Sequence, residues 1–347
     1  MMIDQLIAEQ PDTLEAVLSE VPRQLAAIQP IRPARPLYFV GSGTSMNALV
    51  ALEPLFAHLV PAGVRVRGPL AFLAELEAGR KRKGDAVFLS QTGTSATTVE
   101  AVVRARALGW KSLTLTAERR SPIGQASGEL VLIPVGPEPV GPKTKGYTAS
   151  LLTLILLAQS FAGSTMDPGA FTAELSHLIA YARGVMAEVA EAREGSDFVM
   201  VLGQERHYAT ALEGSLKISE MSGIAAAAFD TEEAFHGRFH GLSPFSVALF
   251  VSATTAQHDM AAAGAAVLSD LGIASHILNL AVSLPGPHDL ALPWPTTDRN
   301  PELDLISAIV PFQLLACELA KRRGLSPERM RYPDLSQRLH ITTGARG

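Results

Sequence analysis

Two short loops rich in glycine, serine and threonine carry the residues best suited to bind an anion. Residues 40–45 read V-G-S-G-T-S, and residues 90–95 read S-Q-T-G-T-S. Each loop follows an apolar run typical of a buried strand and precedes a helical pattern. Glycine lets the backbone approach a ligand, hydroxyls donate hydrogen bonds, and the free N–H groups of a helix start favour negative charge. A single loop could be an ordinary connector, but the pair predicts a site for a phosphorylated ligand.

A second group of candidate residues combines two carboxylates with a lysine. Glu213, Lys217 and Glu220 fall within a helical pattern at 207–222. Their spacing of i, i+4 and i+7 places them on one helix face. By periodicity alone, this is typical of a solvated stripe with a Glu–Lys pair. The helix follows directly after a strand end, which favours a functional site, so both interpretations stay open.

Glu233 and His236 suggest proton transfer. Histidine titrates near neutral pH, and a carboxylate can remove a proton beside a carbonyl group. His240 extends the pattern to E-x-x-H-x-x-x-H, which could also hold a metal ion. Gly237 and Gly241 flank the histidines and disfavour a regular helix that would keep such ligands in register. We therefore expect proton transfer here, with neither a metal nor an organic cofactor.

Alternating strands and helices must position these residues. Strand patterns lie at 37–40, 64–67, 86–90, 112–116 and 130–134 in the first half, and at 198–202, 224–229, 247–252 and 276–280 in the second. The two series match at an offset of about 160 residues, with helices in between. Such alternation predicts an α/β protein with two tandem domains, each a mostly parallel five-stranded sheet flanked by helices in a three-layer, flavodoxin-like arrangement.

The same pattern predicts the domain organisation. An N-terminal helix occupies 1–30, a first domain 31–165, a second domain 170–325 and a C-terminal tail 326–347. The helical patterns at 148–163 and 303–323 are interpreted as the closing helices of the two domains.

Composition narrows the class of protein. The 347 residues are 47% hydrophobic and 18% charged, with a net charge of −5, which excludes a disordered chain and a basic nucleic-acid binder. Cys317 is the only cysteine, so the chain forms no internal disulfide. No signal peptide and no uninterrupted apolar span of membrane length is recognisable. We expect a cytoplasmic protein that binds neither nucleic acid nor membrane.

The motifs, taken in order, resemble the sugar isomerase (SIS) superfamily, most closely the isomerase half of glucosamine-6-phosphate synthases. Besides the two loops, the matching stretches are E-Q-P at 9–11, K-T-K-G-Y-T at 143–148, A-L-E-G-S-L-K at 211–217, E-A-F-H-G at 233–237 and P-F-Q-L-L-A at 311–316. Each match is weak alone, but their order and spacing together are specific.

The resemblance implies roles for individual residues. The sugar phosphate would contact Ser42, Gly43, Thr44, Ser45, Ser90, Gln91, Thr92 and Ser95. Glu220 would be the base that moves a proton between C1 and C2 of the sugar. His236 would open the pyranose ring in the site of a neighbouring subunit, which implies a homodimer. Glu233 joins the candidate catalytic set, and Glu213 and Lys217 would support it.

Three departures from the family pattern bear on the reaction. No glutaminase segment precedes the isomerase-like part, which argues against glutamine-dependent amination. The family's tail, expected to close the active site, carries a lysine that contacts the open-chain sugar. Gln337 stands nearest that position here, and a neutral amide can neither supply charge nor form an imine, although Arg338 could compensate. Lys143 replaces a serine near the phosphate and adds a counter-charge or indicates a different substrate.

The sequence thus predicts a phosphosugar isomerase that acts on a hexose phosphate or amino-sugar phosphate through an enediol or enolamine. The alternative is an amino-sugar phosphate deaminase or deglycase, which needs the same proton shuttle. A more distant alternative is a non-catalytic phosphosugar sensor, since SIS modules also serve regulators.

Overall fold

The chain divides into two compact units, which we name by their sheets. The structure, a computed structural model, describes residues 1–28, 35–79, 83–281, 285–297 and 300–343. The five-stranded unit comprises Asp12–Glu138, Lys145–Asp167 and Tyr332–Gly347. The four-stranded unit comprises Met1–Pro11, Pro139–Thr144 and Pro168–Arg331.

The N-terminal helix predicted for 1–30 is interrupted at Glu9. Helix α1 spans Met2–Ala8 and helix α2 spans Gln10–Ala27. Pro11 has no N–H to donate to the carbonyl of Ile7, four residues earlier. The side chain of Gln10 replaces that donor, with its Nε2 at 3.0 Å from the Ile7 oxygen. The proline therefore explains why one predicted helix becomes two.

The five-stranded unit is built on a fully parallel sheet with the strand order β2-β1-β3-β4-β5. The strands are β1 Leu37–Val40, β2 Val64–Arg67, β3 Asp85–Leu89, β4 Lys111–Thr116 and β5 Glu129–Leu132. The helices are the part of α2 from Asp12 onward, α3 Thr44–Leu59, α4 Pro69–Ala78, α5 Ala96–Ala107, α6 Pro122–Ala126 and α7 Lys145–Ala162. Every residue of β1 and β3 is buried, as expected for inner strands covered on both faces.

An aromatic cluster fills one side of this sheet. The rings of Tyr38, Phe72, Phe88 and Trp110 contact one another at centroid distances of 5.3–5.6 Å. Tilted and edge-on pairs of this kind stabilise a core beyond simple burial. The cluster keeps β1 and β3 side by side, and the two predicted phosphate loops follow these strands.

The four-stranded unit repeats the order of the first four strands as β7-β6-β8-β9, again fully parallel. The strands are β6 Phe198–Gly203, β7 Ala225–Asp230, β8 Ser246–Ser252 and β9 Ala274–Asn279. The helices are α1, α8 Phe171–Arg193, α9 Arg206–Ser222, α10 Thr231–Phe235, α11 Thr255–Asp270 and α12 Asp304–Arg322, with 3₁₀ turns at Arg238–Gly241 and Pro301–Leu303. Helix α12 packs against α9 where Gly214 leaves room for the ring of Phe312.

The predicted fifth strand of this unit does not form among the described residues. Residues 285–297 run alongside β9, where Ile277 donates to His288 O and Leu290 donates to Ile277 O, both at 2.9 Å. This is an isolated parallel bridge and not a strand. The segment carries prolines at 285, 287, 293 and 295, which lack the N–H that a longer ladder requires. The prediction of five strands was therefore wrong for this unit.

Within the described residues, one helix is long and apolar enough to cross a membrane by length and composition. It spans Pro301–Arg322, and its apolar 18-residue window has a mean hydropathy of 1.7 and is 94% buried. It packs against α8 and α9, as a core helix does.

Candidate functional site

The two predicted phosphate loops meet at one edge of the five-stranded unit. Because β1 and β3 are neighbouring parallel strands, their carboxyl ends lie side by side. Ser42 Oγ lies 3.4 Å from Ser95 Oγ, and Thr98 Oγ1 donates to Ser95 Oγ at 2.9 Å. Ser42 and Gly43 are exposed, whereas Ser90 is buried. The structure therefore brings together hydroxyls that lie about fifty residues apart in the sequence.

Both helices that start at these loops begin without a side-chain cap. Gly43, the N-cap of α3, has no side chain, and the Ser95 hydroxyl at the N-cap of α5 accepts no backbone N–H of the first helical turn. By contrast, Ser121 caps α6 and Thr254 caps α11 through their hydroxyls. A helix start without a side-chain cap favours an anionic ligand. This edge of the sheet thus brings together two helix starts, where backbone N–H groups favour negative charge.

The equivalent loop of the four-stranded unit has a similar backbone conformation at its helix N-cap, but that N-cap residue carries a carboxylate. Glu205, the N-cap of α9, has φ 51° and ψ −127°, close to the φ 55° and ψ −134° of Gly43. A left-handed φ is rare for a residue with a side chain and costs about 1–3 kcal/mol. The Glu205 carboxylate repels an anion at this helix start. This helix start is therefore less suited to an anion than the start of α3.

Gln91 and Thr92 of the second loop have partners inside the five-stranded unit. The Gln91 amide donates to Glu138 Oε2 at 3.0 Å, and Thr92 Oγ1 lies 3.0 Å from Thr94 Oγ1. Gly146 makes room for the amide, because a Cβ there would lie 2.2 Å from Gln91 Nε2. Contact between the Gln91 side chain and a substrate stays a prediction.

The C-terminal tail attaches to the second phosphate loop. The N–H of Ala96 donates to Ile341 O at 3.0 Å, and the N–H of Thr343 donates to Thr94 O at 2.7 Å. These bonds form an antiparallel bridge between Ser95 and Thr342. Gln337 lies exposed in a short helix α13, Leu335–Arg338. Its predicted role in place of the family's lysine stays a prediction.

The charged residues of α9 form a buried cluster. Lys217 Nζ lies 3.3 Å from Glu213 Oε1 and hydrogen-bonds Glu220. The side chains of Glu213 and Lys217 are fully buried, and that of Glu220 is 19% exposed. Burial by itself would lower the pKa of Lys217, but Glu213 and Glu220 outweigh it and hold that pKa above its usual value. The interpretation as a solvated stripe was therefore wrong.

Glu220 and His236 lie at opposite ends of the strands of the four-stranded sheet: Glu220 lies beside their amino ends and His236 beside their carboxyl ends. Helix α9 runs back from the carboxyl end of β6, so Glu220, in its last turn, lies near the start of β7. His236 ends α10, which follows the carboxyl end of β7. Six residues of β7 separate the two edges by roughly 17 Å at about 3.3 Å per residue. The expectation that Glu220 would lie at the strand's carboxyl end was wrong.

Glu233 and His236 are exposed. Asp230 caps α10, and Gly237, at φ 117°, ends it before His240. Among the described residues, the one group of three metal-ligating side chains that converges is Asp4, Cys317 and Glu318. The E-x-x-H-x-x-x-H pattern therefore does not assemble a ligand set within the chain.

The Asp4 group is poorly suited to hold a metal ion, because Asp4 pairs with a lysine and Cys317 is buried. Asp4 pairs with Lys321 at 3.1 Å. Burial and the Asp4 carboxylate raise the pKa of the Cys317 thiol to about 12. A thiol held in its protonated form is a poor metal ligand.

A buried histidine–carboxylate contact went unrecognised in the sequence. His207 Nε2 lies 3.3 Å from Asp304 Oδ2 at the carboxyl end of β6, and His207 is 1% exposed. Burial would raise the pKa of Asp304, but His207 and Arg206 outweigh it and lower that pKa. The two residues lie almost 100 positions apart, so no local pattern links them.

Lys143, also in this unit, donates to Val140 O at 2.7 Å.

Comparisons with known proteins identify the family of the first half. Residues 30–160 match the model described as the SIS domain, so this segment carries an SIS domain. Glutamine–fructose-6-phosphate aminotransferase (isomerizing) of Streptococcus pneumoniae R6 is 28% identical over 328 residues, which cover 88% of this chain and 52% of that protein. The chain thus spans about half the length of the curated relatives it matches.

Solved structures share the fold over nearly the whole chain. A proposed phosphosugar isomerase from Clostridium difficile 630 superposes with a TM-score of 0.83 at 21% identity and covers 98% of both chains. Glucosamine-6-phosphate deaminase from Thermotoga maritima gives a TM-score of 0.74 at 20% identity, over 96% of this chain and 98% of that one. At such identities, the likeness establishes the fold.

Proposed function

We propose that this chain is a phosphosugar isomerase that moves a proton between C1 and C2 of a hexose phosphate or amino-sugar phosphate. The observation that carries the proposal is the pair of loops after β1 and β3, with serine hydroxyls 3.4 Å apart at two helix starts. A phosphate monoester offers three acceptor oxygens and about two negative charges, which suit these donors. The SIS domain at 30–160 contains both loops.

Glu220 is the proposed base. Lys217 holds one oxygen of this carboxylate, and the side chain is 19% exposed, so it is fixed yet accessible. The carboxylate removes the proton from C2 of the open-chain aldose, and the electron pair forms an enediolate whose charge lies on the C1 oxygen. A proton passes from the C2 hydroxyl to that oxygen, and the same carboxyl group returns its proton to C1, which leaves the ketone at C2. No atom is gained or lost and there is no net oxidation, so the reaction needs no co-reactant.

His236 is proposed to act in the site of a second copy of the chain. Glu220 and His236 belong to opposite edges of one sheet, roughly 17 Å apart along β7. Side chains so placed cannot reach the same pair of carbons within one copy. The exposure of His236 supports its use across a subunit interface. We therefore infer a homodimer with shared active sites.

A deaminase or deglycase is the second candidate. The likeness to a glucosamine-6-phosphate deaminase favours it, as does the replacement of the family's tail lysine by Gln337. With an amine at C2, the same proton transfer produces an imine at C2. Water then adds to that carbon, and ammonia leaves as the ketone forms.

Replacing Glu220 by Gln tests the assignment. We expect the exchange of solvent deuterium into C1 and C2 of glucose 6-phosphate, fructose 6-phosphate or glucosamine 6-phosphate, followed by NMR, to fall about 10²- to 10⁴-fold. The rise in melting temperature on binding the same sugar phosphate should persist, because the loops are unchanged. Glu232→Gln, at an exposed carboxylate of α10, is the matched control and should behave as wild type.

Three results would distinguish the candidates. Unchanged exchange in the Glu220→Gln protein would reject Glu220 as the base. Ammonia released from glucosamine 6-phosphate by the wild type would identify a deaminase. Binding of a sugar phosphate by the wild type without deuterium exchange, sugar interconversion or ammonia release would reject catalysis of that sugar and favour a sensor.

A further inference from the structure

A cavity of about 520 Å³ lies in the four-stranded unit, next to the end of β9. Asn279 and Asp289 are at its polar end, and Leu290, Trp294, His177 and Tyr181 are among the residues that line the rest. Its volume falls within the range of small-molecule sites, about 300–1,000 Å³. None of these residues takes part in the function proposed above.

Asp289 is a rigid, ionised group at this cavity. Its Oδ2 accepts from Asn279 Nδ2 at 2.9 Å and from the Gly286 N–H at 3.1 Å, and His258 Nε2 lies 3.0 Å from both carboxylate oxygens. Burial would raise the pKa of Asp289, but the bonds from Asn279 and His258 outweigh it and lower that pKa. Within the described residues, Oδ1 accepts from His258 alone, so it can still accept from a ligand.

The aromatic side of the cavity is also held in place. His177 and Tyr181 lie one turn apart on α8, with ring centroids 6.5 Å from each other. The segment that carries Trp294 is fastened to the same helix, because the N–H of Thr296 donates to Glu174 Oε2 at 2.7 Å. Trp294 N also donates to Leu292 O at 3.0 Å, which turns the chain at the rim.

The lining indicates the chemical class of the ligand. Aromatic rings present flat apolar faces to the C–H groups of a sugar ring, and a carboxylate and an amide orient its hydroxyls. The described lining residues include neither lysine nor arginine, and the charge of Asp289 opposes a phosphate group. We propose that this cavity is a second binding site that takes an unphosphorylated sugar, with its ring against Trp294 and Tyr181 and a hydroxyl group on Asp289.

Tryptophan fluorescence tests this proposal directly. The chain has two tryptophans, and Trp110 belongs to the aromatic cluster of the five-stranded unit. A Trp110→Phe protein keeps an aromatic ring there and leaves Trp294 as the single reporter. We expect D-glucose and D-glucosamine to change its fluorescence saturably. Glucose 6-phosphate should need at least a tenfold higher concentration for the same change.

Two variants of Tyr181, which is half-exposed, provide the control. In the Trp110→Phe background, Tyr181→Ala should weaken sugar binding about tenfold, whereas Tyr181→Phe, which keeps the ring, should stay close to the parent. A thermal melt confirms that both variants fold. The proposal fails if neither sugar changes the fluorescence or if glucose 6-phosphate binds as tightly as glucose. It also fails if Tyr181→Ala leaves the sugar concentration at the midpoint of the fluorescence titration unchanged. Loss of isomerase activity in the Glu220→Gln protein has no bearing on this result.

Discussion

At the scale of the residue, His276 makes the fold sensitive to acid. This side chain lies on β9, and its Nε2 is buried without a hydrogen-bond partner among the described residues. Burial lowers the pKa of His276 to about 4, with further contributions from Arg193 and His288. The native state therefore favours the neutral ring, whereas the unfolded chain binds a proton near pH 6.5.

Stability should accordingly fall as the pH drops below 6.5. Since the native pKa is depressed, the contribution of His276 is complete above the unfolded pKa and is lost towards pH 4. Between pH 7.5 and pH 5, this residue should cost about 2 kcal/mol of unfolding free energy, measured by urea denaturation. Between pH 7.5 and pH 5, the unfolding free energy of a His276→Gln protein should therefore fall by about 2 kcal/mol less than that of the wild type. His58→Gln, at an exposed histidine, is the control and should follow the wild type.

Residue types were easier to predict than their burial. The sequence identified Glu213, Lys217 and Glu220 as one helix face, but periodicity cannot say whether that face meets solvent or another helix. Burial here depends on α12, which begins more than eighty positions after Lys217 and packs on α9. The His207–Asp304 contact is hidden from local patterns for the same reason.

At the scale of the element, the tail pairs with the second phosphate loop through an isolated antiparallel bridge. Two backbone bonds join Thr94 and Ala96 to Thr343 and Ile341. Because Ala96 is the first residue of α5, the tail reaches the helix start that is proposed to bind phosphate. We expect the position of this loop to depend on the tail.

Substitutions at Thr343 separate the backbone bond from the side chain. Thr343→Ala removes the hydroxyl that donates to Thr94 O at 3.0 Å, whereas Thr343→Pro removes that hydroxyl and also the N–H that donates to the same oxygen at 2.7 Å. Relative to the alanine variant, we expect the proline variant to bind glucosamine 6-phosphate about 5- to 10-fold more weakly, because it lacks one further hydrogen bond of about 1 kcal/mol. The alanine variant should stay within about twofold of wild type. Equal affinities of the two variants, measured by calorimetry, would show that the tail does not hold the loop.

Regular elements were predicted well where the chain has a clear period. The strands that precede both phosphate loops were expected within one residue of their observed bounds. The misses lie at prolines: Pro11 divides the first helix, and four prolines keep 285–297 from completing a strand. In both places, the element ends because proline has no backbone N–H to donate, and the spacing of apolar residues does not reveal this.

At the scale of the whole molecule, the order of elements separates the proposed catalytic residues. A crossover helix runs antiparallel to its strands, so residues at its two ends belong to opposite edges of the sheet. Glu220, late in α9, and His236, after β7, are close in sequence but lie at opposite edges. The sequence pattern suggested a site for Glu220 just after a strand end, because chain order alone does not register helix direction. A second copy of the chain is the simplest way to bring a Glu220 and a His236 together.

Mixing two inactive variants tests this arrangement. A Glu220→Gln protein and a His236→Ala protein each lack one group in every site. If each site takes Glu220 from one copy and His236 from the other, a mixed dimer has one complete site and one site that lacks both groups. Random exchange of equal amounts should therefore restore about a quarter of the wild-type deuterium exchange activity. If both groups came from the same copy, every site in the mixture would lack one of them, and no activity would return. Mixing Glu220→Gln with Glu220→Gln/His236→Ala provides the negative control, because no pairing of these chains supplies a Glu220.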